Sequence, residues 1–224
     1  EALDKIIPFS KRIIRIDDDP ISFLSHSNPI RKYDIIIINS GEPDNYKNNR
    51  FLTDRFLKLS KTLLKNDGII FFPSHYDTDR YISQDKAGII SAIYNTLQNS
   101  FAHVTVWPGD MTLFFASDSS LFNLTSDSLI GRIKNLGYYP QYINENYLAD
   151  RLQNFKMEKL RDALDSFGQI NTLNRPILVY RQTAYRAKLG GIDNKIIPAL
   201  FNVAPRILLL SSILWPVLSL YLWS

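Results

Sequence analysis

The chain has 224 residues, an apolar fraction of 45% and a formal net charge of +4, with its 26 basic and 22 acidic side chains interspersed. This composition predicts one folded domain with an appendage, and the scattered charges argue against a nucleic-acid partner. The absence of cysteine excludes disulfides, thiol catalysis and cysteine-ligated zinc, and the 3 histidines lack the spacing of a zinc-binding helix, so we expect no metal site.

The first part of the chain alternates between strand-like and helix-like patterns. Residues 12–16 form a short β-branched run, and the acidic turn after them leads into a helix that begins at Pro20, with Asp19 as a suitable N-cap. The next strand, 33–38, is almost wholly apolar, which is typical of a parallel strand buried on both faces. A polar loop, 39–45, follows this strand.

Two amphipathic helices and three more strands continue the pattern. We predict a helix from Phe51 to Leu64 that stops at 66–68, a strand over 69–72, a helix over 84–101, and strands over 103–107 and 111–116. The tight turn between the last two strands makes them antiparallel to each other. The sequence therefore predicts an α/β fold with a mostly parallel, Rossmann-like sheet, covered by helices on both faces and ending in an antiparallel hairpin strand.

The last part of the chain has a different character. It predicts appended helices over 130–136, 148–155 and 160–167. An uncharged run, 207–223, then favours a membrane helix over a buried core helix, because it has nearly the length of a bilayer core and an aromatic end. The basic residues before this run are Arg181, Arg186, Lys188, Lys195 and Arg206. By the positive-inside tendency we expect an integral membrane protein whose soluble domain is cytoplasmic.

Several short strings carry a resemblance to one family. They are Asp19-Pro-Ile-Ser-Phe-Leu24, Tyr33-Asp-Ile-Ile-Ile-Ile-Asn39 and Asn49-Arg-Phe-Leu-Thr53, with 101–109, Asn171-Thr172 and Arg175-Pro176 further along. In this order and spacing they resemble the corresponding strings of spermidine synthase-like membrane proteins, relatives of the polyamine aminopropyltransferases. The resemblance runs from Ile6 to Pro176 and implies the fold of class I S-adenosylmethionine-dependent methyltransferases.

The resemblance implies a nucleoside and amine site at the carboxyl ends of the strands. Asp18 and Asp19 would accept hydrogen bonds from the adenine of S-adenosylmethionine or its decarboxylated form, although acids after a strand are also ordinary helix caps. Asn39 would line the nucleoside pocket at the position where the synthases have a catalytic acid, and an amide cannot accept the amine proton. Glu42 would hold a cationic amine or serve as a substitute base. The alternative for Asn39 and Glu42 is a solvated loop.

The resemblance also implies a domain division. We expect residues 1–118 to be the C-terminal part of a Rossmann-like nucleoside-binding domain, because the chain begins inside an α/β unit and the glycine-rich loop would precede Glu1. Residues 119–186 would be a helical appendage, and residues 187–224 a basic juxtamembrane segment with the start of a transmembrane domain.

Three functions remain open at this point. The first is the transfer of an aminopropyl group to a polyamine-like amine, with lipid as a partner through the C-terminal run. The second is a catalytically inactive sensor or scaffold, which Asn39 favours. The third is a methyltransferase acting on another substrate, because a fold does not determine its reaction.

Overall fold

The computed structural model describes residues 14, 16–26, 32–119, 122, 125–135, 137, 140–165 and 167–191. At its centre a 4-stranded sheet has the order β1–β2–β4–β3. The strands are β1 (Tyr33–Ile37), β2 (Leu64–Ser74), β3 (His103–Trp107) and β4 (Thr112–Ser117). β1 and β2 are parallel, and β4 is antiparallel to both β2 and β3. The sheet is thus mixed rather than mostly parallel, because β4 lies between two strands that share one direction.

The helices alternate with the strands as predicted, and further helices follow the last strand. They are α1 (Pro20–His26), α2 (Tyr46–Asn49), α3 (Asp54–Thr62), α4 (Gln84–Gln98), α5 (Ser126–Asn135), α6 (Glu145–Arg151), α7 (Asn154–Leu164) and α8 (Ile177–Leu189), with a 3-10 turn at Arg50–Leu52. Side-chain caps mark where the two crossover helices, α3 and α4, begin. Thr53 accepts the N–H of Phe56 at the start of α3, and Ser83 accepts the N–H of Lys86 at the start of α4.

The crossover helices share one face of the sheet. α3 connects β1 to β2 and α4 connects β2 to β3, so both connections step across the sheet in the same direction. Because such connections are right-handed, the two helices fall on the same face, where α1 packs beside α3. The largest fully buried side chains of the resulting core are Leu52, Leu57, Ile70, Phe72, Ile89, Ile90, Ile93, Leu97, Phe114 and Leu160.

The opposite face is open among the residues that the structure describes. Ile37, Phe71 and Phe115 lie side by side on it by strand register, and the rings of Phe71 and Phe115 stack with centroids 4.9 Å apart. Ile35 is 58% exposed and Ile37 is 62% exposed. The predictions that strand 33–38 is buried on both faces and that the sheet is covered on both faces are therefore wrong for the described residues, because helices that wind in one direction cover one face.

Three local predictions also need correction. The segment 66–68 does not end a helix but bulges within β2, since Tyr33 pairs with Leu64 and Ile35 already pairs with Ile69. Helix α3 ends at Thr62 instead. Ile14 and Ile16 lie outside any strand, and the other residues of the predicted strand 12–16 lie outside the described part of the chain.

The appended helices complete the same core. The predicted helix 148–155 is two helices, because the chain turns at Leu152 and Gln153 between α6 and α7. α7 and α8 both pack on α4. α8 was not predicted, and it runs through residues that the sequence assigned partly to the basic flank. No helix among the described residues is long and apolar enough to cross a bilayer, and the predicted membrane run 207–223 lies outside them.

Asn171 joins four elements at the centre of this packing. It is fully buried, its Nδ2 donates to the Leu52 carbonyl at 2.8 Å, and its Oδ1 accepts the Leu178 N–H at 3.3 Å. Its backbone N–H donates to Thr96 Oγ1 of α4, and its carbonyl accepts the Asp54 N–H at the start of α3. One residue thus links α8, through its side chain, to both crossover helices, which its backbone contacts.

The exposure of β1 yields a stability prediction. Ile70→Ala should cost about 2–5 kcal/mol of unfolding free energy, because Ile70 fills the core, where the deletion leaves a cavity. Ile37→Ala should cost under about 1 kcal/mol, the span of strand propensities, because its side chain is mostly exposed. Urea denaturation of both variants measures the difference. Equal costs would show that Ile37 is buried in solution.

Asn171 yields a second stability prediction. Asn171→Ala should cost about 2 kcal/mol or more, because it leaves the Leu52 carbonyl and the Leu178 N–H buried without partners. The matched control is Asn146→Ala on the exposed surface of α6, which should stay within about 0.5 kcal/mol of the wild type. Thermal and urea unfolding of the two variants test the ranking, and similar losses would contradict it.

Candidate functional site

Asp19 caps α1 and ties it to the loop after β1. Its Oδ2 accepts the N–H groups of Ile21 and Ser22, each at 3.2 Å, and its Oδ1 accepts the Arg50 guanidinium. Burial acts to raise the pKa of Asp19, but the Ser22 N–H and Arg50 outweigh it, so this pKa lies below its usual value. Asp19 is thus a helix cap and an ion-pair partner, and Oδ1 keeps a lone pair for a ligand.

Asp18 lies beside this cap on the surface. Its Oδ1 accepts the backbone N–H of Asp19 at 2.7 Å, and its side chain is exposed. This local hydrogen bond does not tie the Asp18 carboxylate to the sheet. Asp18 is therefore free to turn toward a ligand that enters from solvent, but the fold does not position it as it positions Asp19.

Asn39 lies at the mouth of an apolar cavity between α1, β1 and α3. The cavity has a volume of about 380 Å³, and Pro20, Asn39 and Ser40 line it together with apolar side chains. Those apolar residues are Phe23, Leu24, Ile36, Ile37, Ile38, Phe51 and Phe56. Pro20 directly follows Asp19, so the structure brings the capped start of α1 and the end of β1 to the same cavity, as the sequence predicts.

Ser60 adds a polar group to this cavity. It lies on α3, its side chain is fully buried, and its Oγ has no hydrogen-bond partner among the described residues. A buried hydroxyl without a partner is costly, so it favours a ligand with a polar atom at that point. The sequence showed no sign of this residue, because a serine within an amphipathic helix carries no site pattern.

Glu42 bridges the loops that follow β1 and β2. Its Oε1 accepts the backbone N–H of His75 at 2.5 Å and the Ser74 hydroxyl at 3.3 Å. Its Oε2 is buried and has no hydrogen-bond partner among the described residues. The carboxylate is therefore held by one oxygen, while the other remains available to a cationic donor.

Tyr76 lies beside Glu42 and connects it to α8. The ring is 5% exposed, and the hydroxyl donates to Gln182 Oε1, a side chain that is itself 4% exposed. Burial raises the pKa of Tyr76, and the negative charge of Glu42 raises it further. The backbone N–H of Tyr76 donates to Ser74 Oγ at 3.5 Å, and the Ser74 hydroxyl donates to Glu42 Oε1. The phenol is thus a neutral donor, and it closes a chain of polar groups from Glu42 to α8.

Three residues near the family strings have structural partners in the described chain. Arg50 pairs with Asp19, and its guanidinium lies 4.7 Å from the centroid of the Phe51 ring. Thr53 is buried and caps α3. His75 has an exposed side chain and uses its backbone to hold Glu42. Sequence reasoning missed Tyr76 and Gln182, because their pairing joins segments far apart in the chain.

The arrangement can bind and orient ligands, and it offers few groups for proton transfer. Within the described ranges no group of 3 or more acidic or histidine side chains could hold a metal ion. Asn39 can donate and accept hydrogen bonds but cannot take up a proton. Glu42 Oε2 is a carboxylate oxygen of this edge that is buried and lacks a hydrogen-bond partner among the described residues, so a donor placed against it would gain a hydrogen bond.

Comparison with known proteins leaves the family unassigned. The chain matches no protein-family model, and a search of curated proteins finds no match to its sequence. The resemblance in the short strings and the geometry of the carboxyl edge are thus what supports a functional proposal.

The Asp19–Arg50 pair yields a prediction about pH. Arg50→Gln should raise the pKa of Asp19 toward its usual value, because it removes the guanidinium that favours the carboxylate. A carboxyl group whose pKa is lower in the folded than in the unfolded protein stabilises the fold at pH values above its unfolded-state pKa of about 3.9. This stability is lost as the pH falls through the folded-state pKa. The wild type should therefore lose more stability than Arg50→Gln between about pH 5 and pH 3.

Carboxyl-carbon NMR of Asp19 measures its titration midpoint directly. Arg55→Gln, an exposed change on α3, is the matched control and should leave the midpoint unchanged. A midpoint that is the same in Arg50→Gln and in the wild type would contradict the ion pair.

Proposed function

We propose that this chain is a spermidine synthase-like domain of a membrane protein, which binds an S-adenosylmethionine-type nucleoside and a polyamine-like amine at the carboxyl edge of its sheet. One observation carries the proposal. The start of α1 after Asp19 and the end of β1 at Asn39 open on one apolar cavity, and Glu42 lies in the adjoining loop. Residues of three strings of the resemblance, 19–24, 33–39 and 49–53, line this cavity.

The strand arrangement supports a Rossmann-like, methyltransferase-type fold. β1, β2 and β3 point in the same direction, as right-handed helical crossovers require, and β4 is an antiparallel hairpin strand between β2 and β3. In open α/β sheets of this kind, ligands bind outside the carboxyl ends of the strands. Asp19, Asn39 and Glu42 all belong to that edge.

The cavity suits the nucleoside part of such a ligand. Its apolar walls can enclose a flat heterocycle, while Asn39 and Ser60 supply polar groups at its mouth and in its lining. Asp19 Oδ1 would accept one hydrogen bond from an exocyclic amino group, and the cap at Oδ2 keeps the carboxylate in place for it. Decarboxylated S-adenosylmethionine would supply an aminopropyl carbon activated by its sulfonium.

Glu42 would receive the amine substrate. In the transfer the amine nitrogen forms a bond to the aminopropyl carbon, the carbon–sulfur bond breaks with its electrons on sulfur, and the amine loses one proton. An ammonium group can donate to Glu42 Oε2, whose charge compensates the cation. The same oxygen is the candidate acceptor of the released proton, since Asn39 cannot accept it.

A sensor or scaffold without catalysis is the second candidate. The amide at Asn39 favours it, and so does the engagement of Asp19 and Glu42 by protein donors, which suits holding ligands rather than exchanging protons. In either case we propose that the run 207–223 anchors the chain in a membrane with this domain on the cytoplasmic side.

Binding and turnover separate the two candidates. Calorimetry of the full-length protein with S-adenosylmethionine and its decarboxylated form, followed by a putrescine conversion assay, should show binding of the decarboxylated form. Binding without turnover supports the sensor, whereas no binding of either nucleoside refutes the proposal.

Asn39→Asp tests the base directly. If only the proton acceptor has been lost, this variant should gain aminopropyl transfer by about 10²–10⁴-fold over the wild type, the usual contribution of a general base. The matched control is Asn45→Asp in the same loop, where an acid can still cap α2, and it should gain nothing. Equal rates in both variants would remove Asn39 as the base position.

A further inference from the structure

We propose that Gln182 and Arg186 of α8 are positioning residues for Glu42. The inference rests on the proposed function, in which Glu42 receives the amine. α8 contacts the Glu42 loop at two points, one through the polar chain behind the carboxylate and one through the backbone turn that carries it. α8 would thereby determine the orientation of the carboxylate.

The first contact runs through Tyr76. Its hydroxyl donates to Gln182 Oε1, and its backbone N–H donates to Ser74 Oγ at 3.5 Å, while the Ser74 hydroxyl donates to Glu42 Oε1 at 3.3 Å. Its ring meets the ring of Tyr185 edge to face, with centroids 6.4 Å apart. Because Tyr76 and Gln182 are both buried, neither polar group can turn to water when the other moves.

The second contact runs through Asp44. Arg186 Nη2 lies 2.9 Å from Asp44 Oδ2, and the Asp44 N–H donates to the Glu42 carbonyl at 2.8 Å. Asn48 Nδ2 donates to the same carbonyl at 3.1 Å. The ion pair therefore holds the turn that carries Glu42.

Another bond of α8 provides an internal control. Lys188 Nζ donates to Asp85 Oδ2 of α4 at 2.6 Å, one turn or less beyond Arg186, and this bond does not involve the Glu42 loop. Its side chain is 60% exposed, close to the 57% of Arg186. Loss of either bond should loosen α8 to a similar degree, but only loss of the Arg186 bond should change the position of Glu42.

The His75 amide reports the position of Glu42, because its N–H donates to Glu42 Oε1. We expect hydrogen exchange at His75, measured by NMR on the full-length protein, to become about 3- to 10-fold faster in Arg186→Gln and in Tyr76→Phe, the range of a lost surface pair or hydrogen bond. Lys188→Gln should leave exchange at His75 unchanged. None of the three variants should change exchange at the Ile70 amide. The exchanged pair Asp44→Arg with Arg186→Asp should restore slow exchange at His75.

Two results would overturn the inference. One is unchanged His75 exchange in both Arg186→Gln and Tyr76→Phe, and the other is equal acceleration by Lys188→Gln.

Calorimetry with spermidine as the amine adds a second measurement, in which Arg186→Gln should weaken amine binding about 3- to 10-fold and leave nucleoside binding unchanged. If exchange responds as expected while the wild type binds no amine, the positioning role stands and the proposed function falls.

Discussion

The direction in which the chain winds across the sheet determines most of this structure. Both described parallel connections step the same way, and right-handed crossover therefore puts α3 and α4 on one face. One contiguous core forms there, and the later helices α7 and α8 extend it by packing on α4. Among the described residues the other face keeps its exposed apolar row, because both crossover helices lie on the first face.

The same constraint creates the candidate site. Parallel strands end at one edge, so the loops after β1 and β2 meet there, and Glu42 can reach the backbone of His75 across the gap. α8 lies on the helical face with its last turns at this edge, where Arg186 meets Asp44. The polar contacts of the site therefore depend on core packing: Asn171 holds the start of α8, and Gln182 lies one turn beyond that fixed point.

Local patterns predicted what local forces decide. The strand 103–107 and the start of α1 at Pro20 agree with the structure, because an alternating run before a turn and an aspartate–proline cap act over a few residues. Exposure of β1 could not be predicted, since an apolar run does not show which neighbours cover it. α8 was missed because the partners of its basic residues, Asp44 and Asp85, lie far away in the chain. Tyr76 was missed for the same reason, and Ser60 was missed because a serine within an amphipathic helix carries no site pattern.

Binding and turnover make different demands on this edge. Holding a nucleoside and an amine requires fixed acceptors, and Asp19 and Glu42 are fixed by donors from the protein itself. Moving a proton requires an acceptor that is both basic and unengaged, and the amide of Asn39 is not basic. Glu42 Oε2 is a carboxylate oxygen without a hydrogen-bond partner among the described residues, and its place depends on α8 through Ser74 and Tyr76. In the proposed function, proton transfer would therefore be coupled to how α8 packs, whereas nucleoside binding in the cavity between α1, β1 and α3 would not.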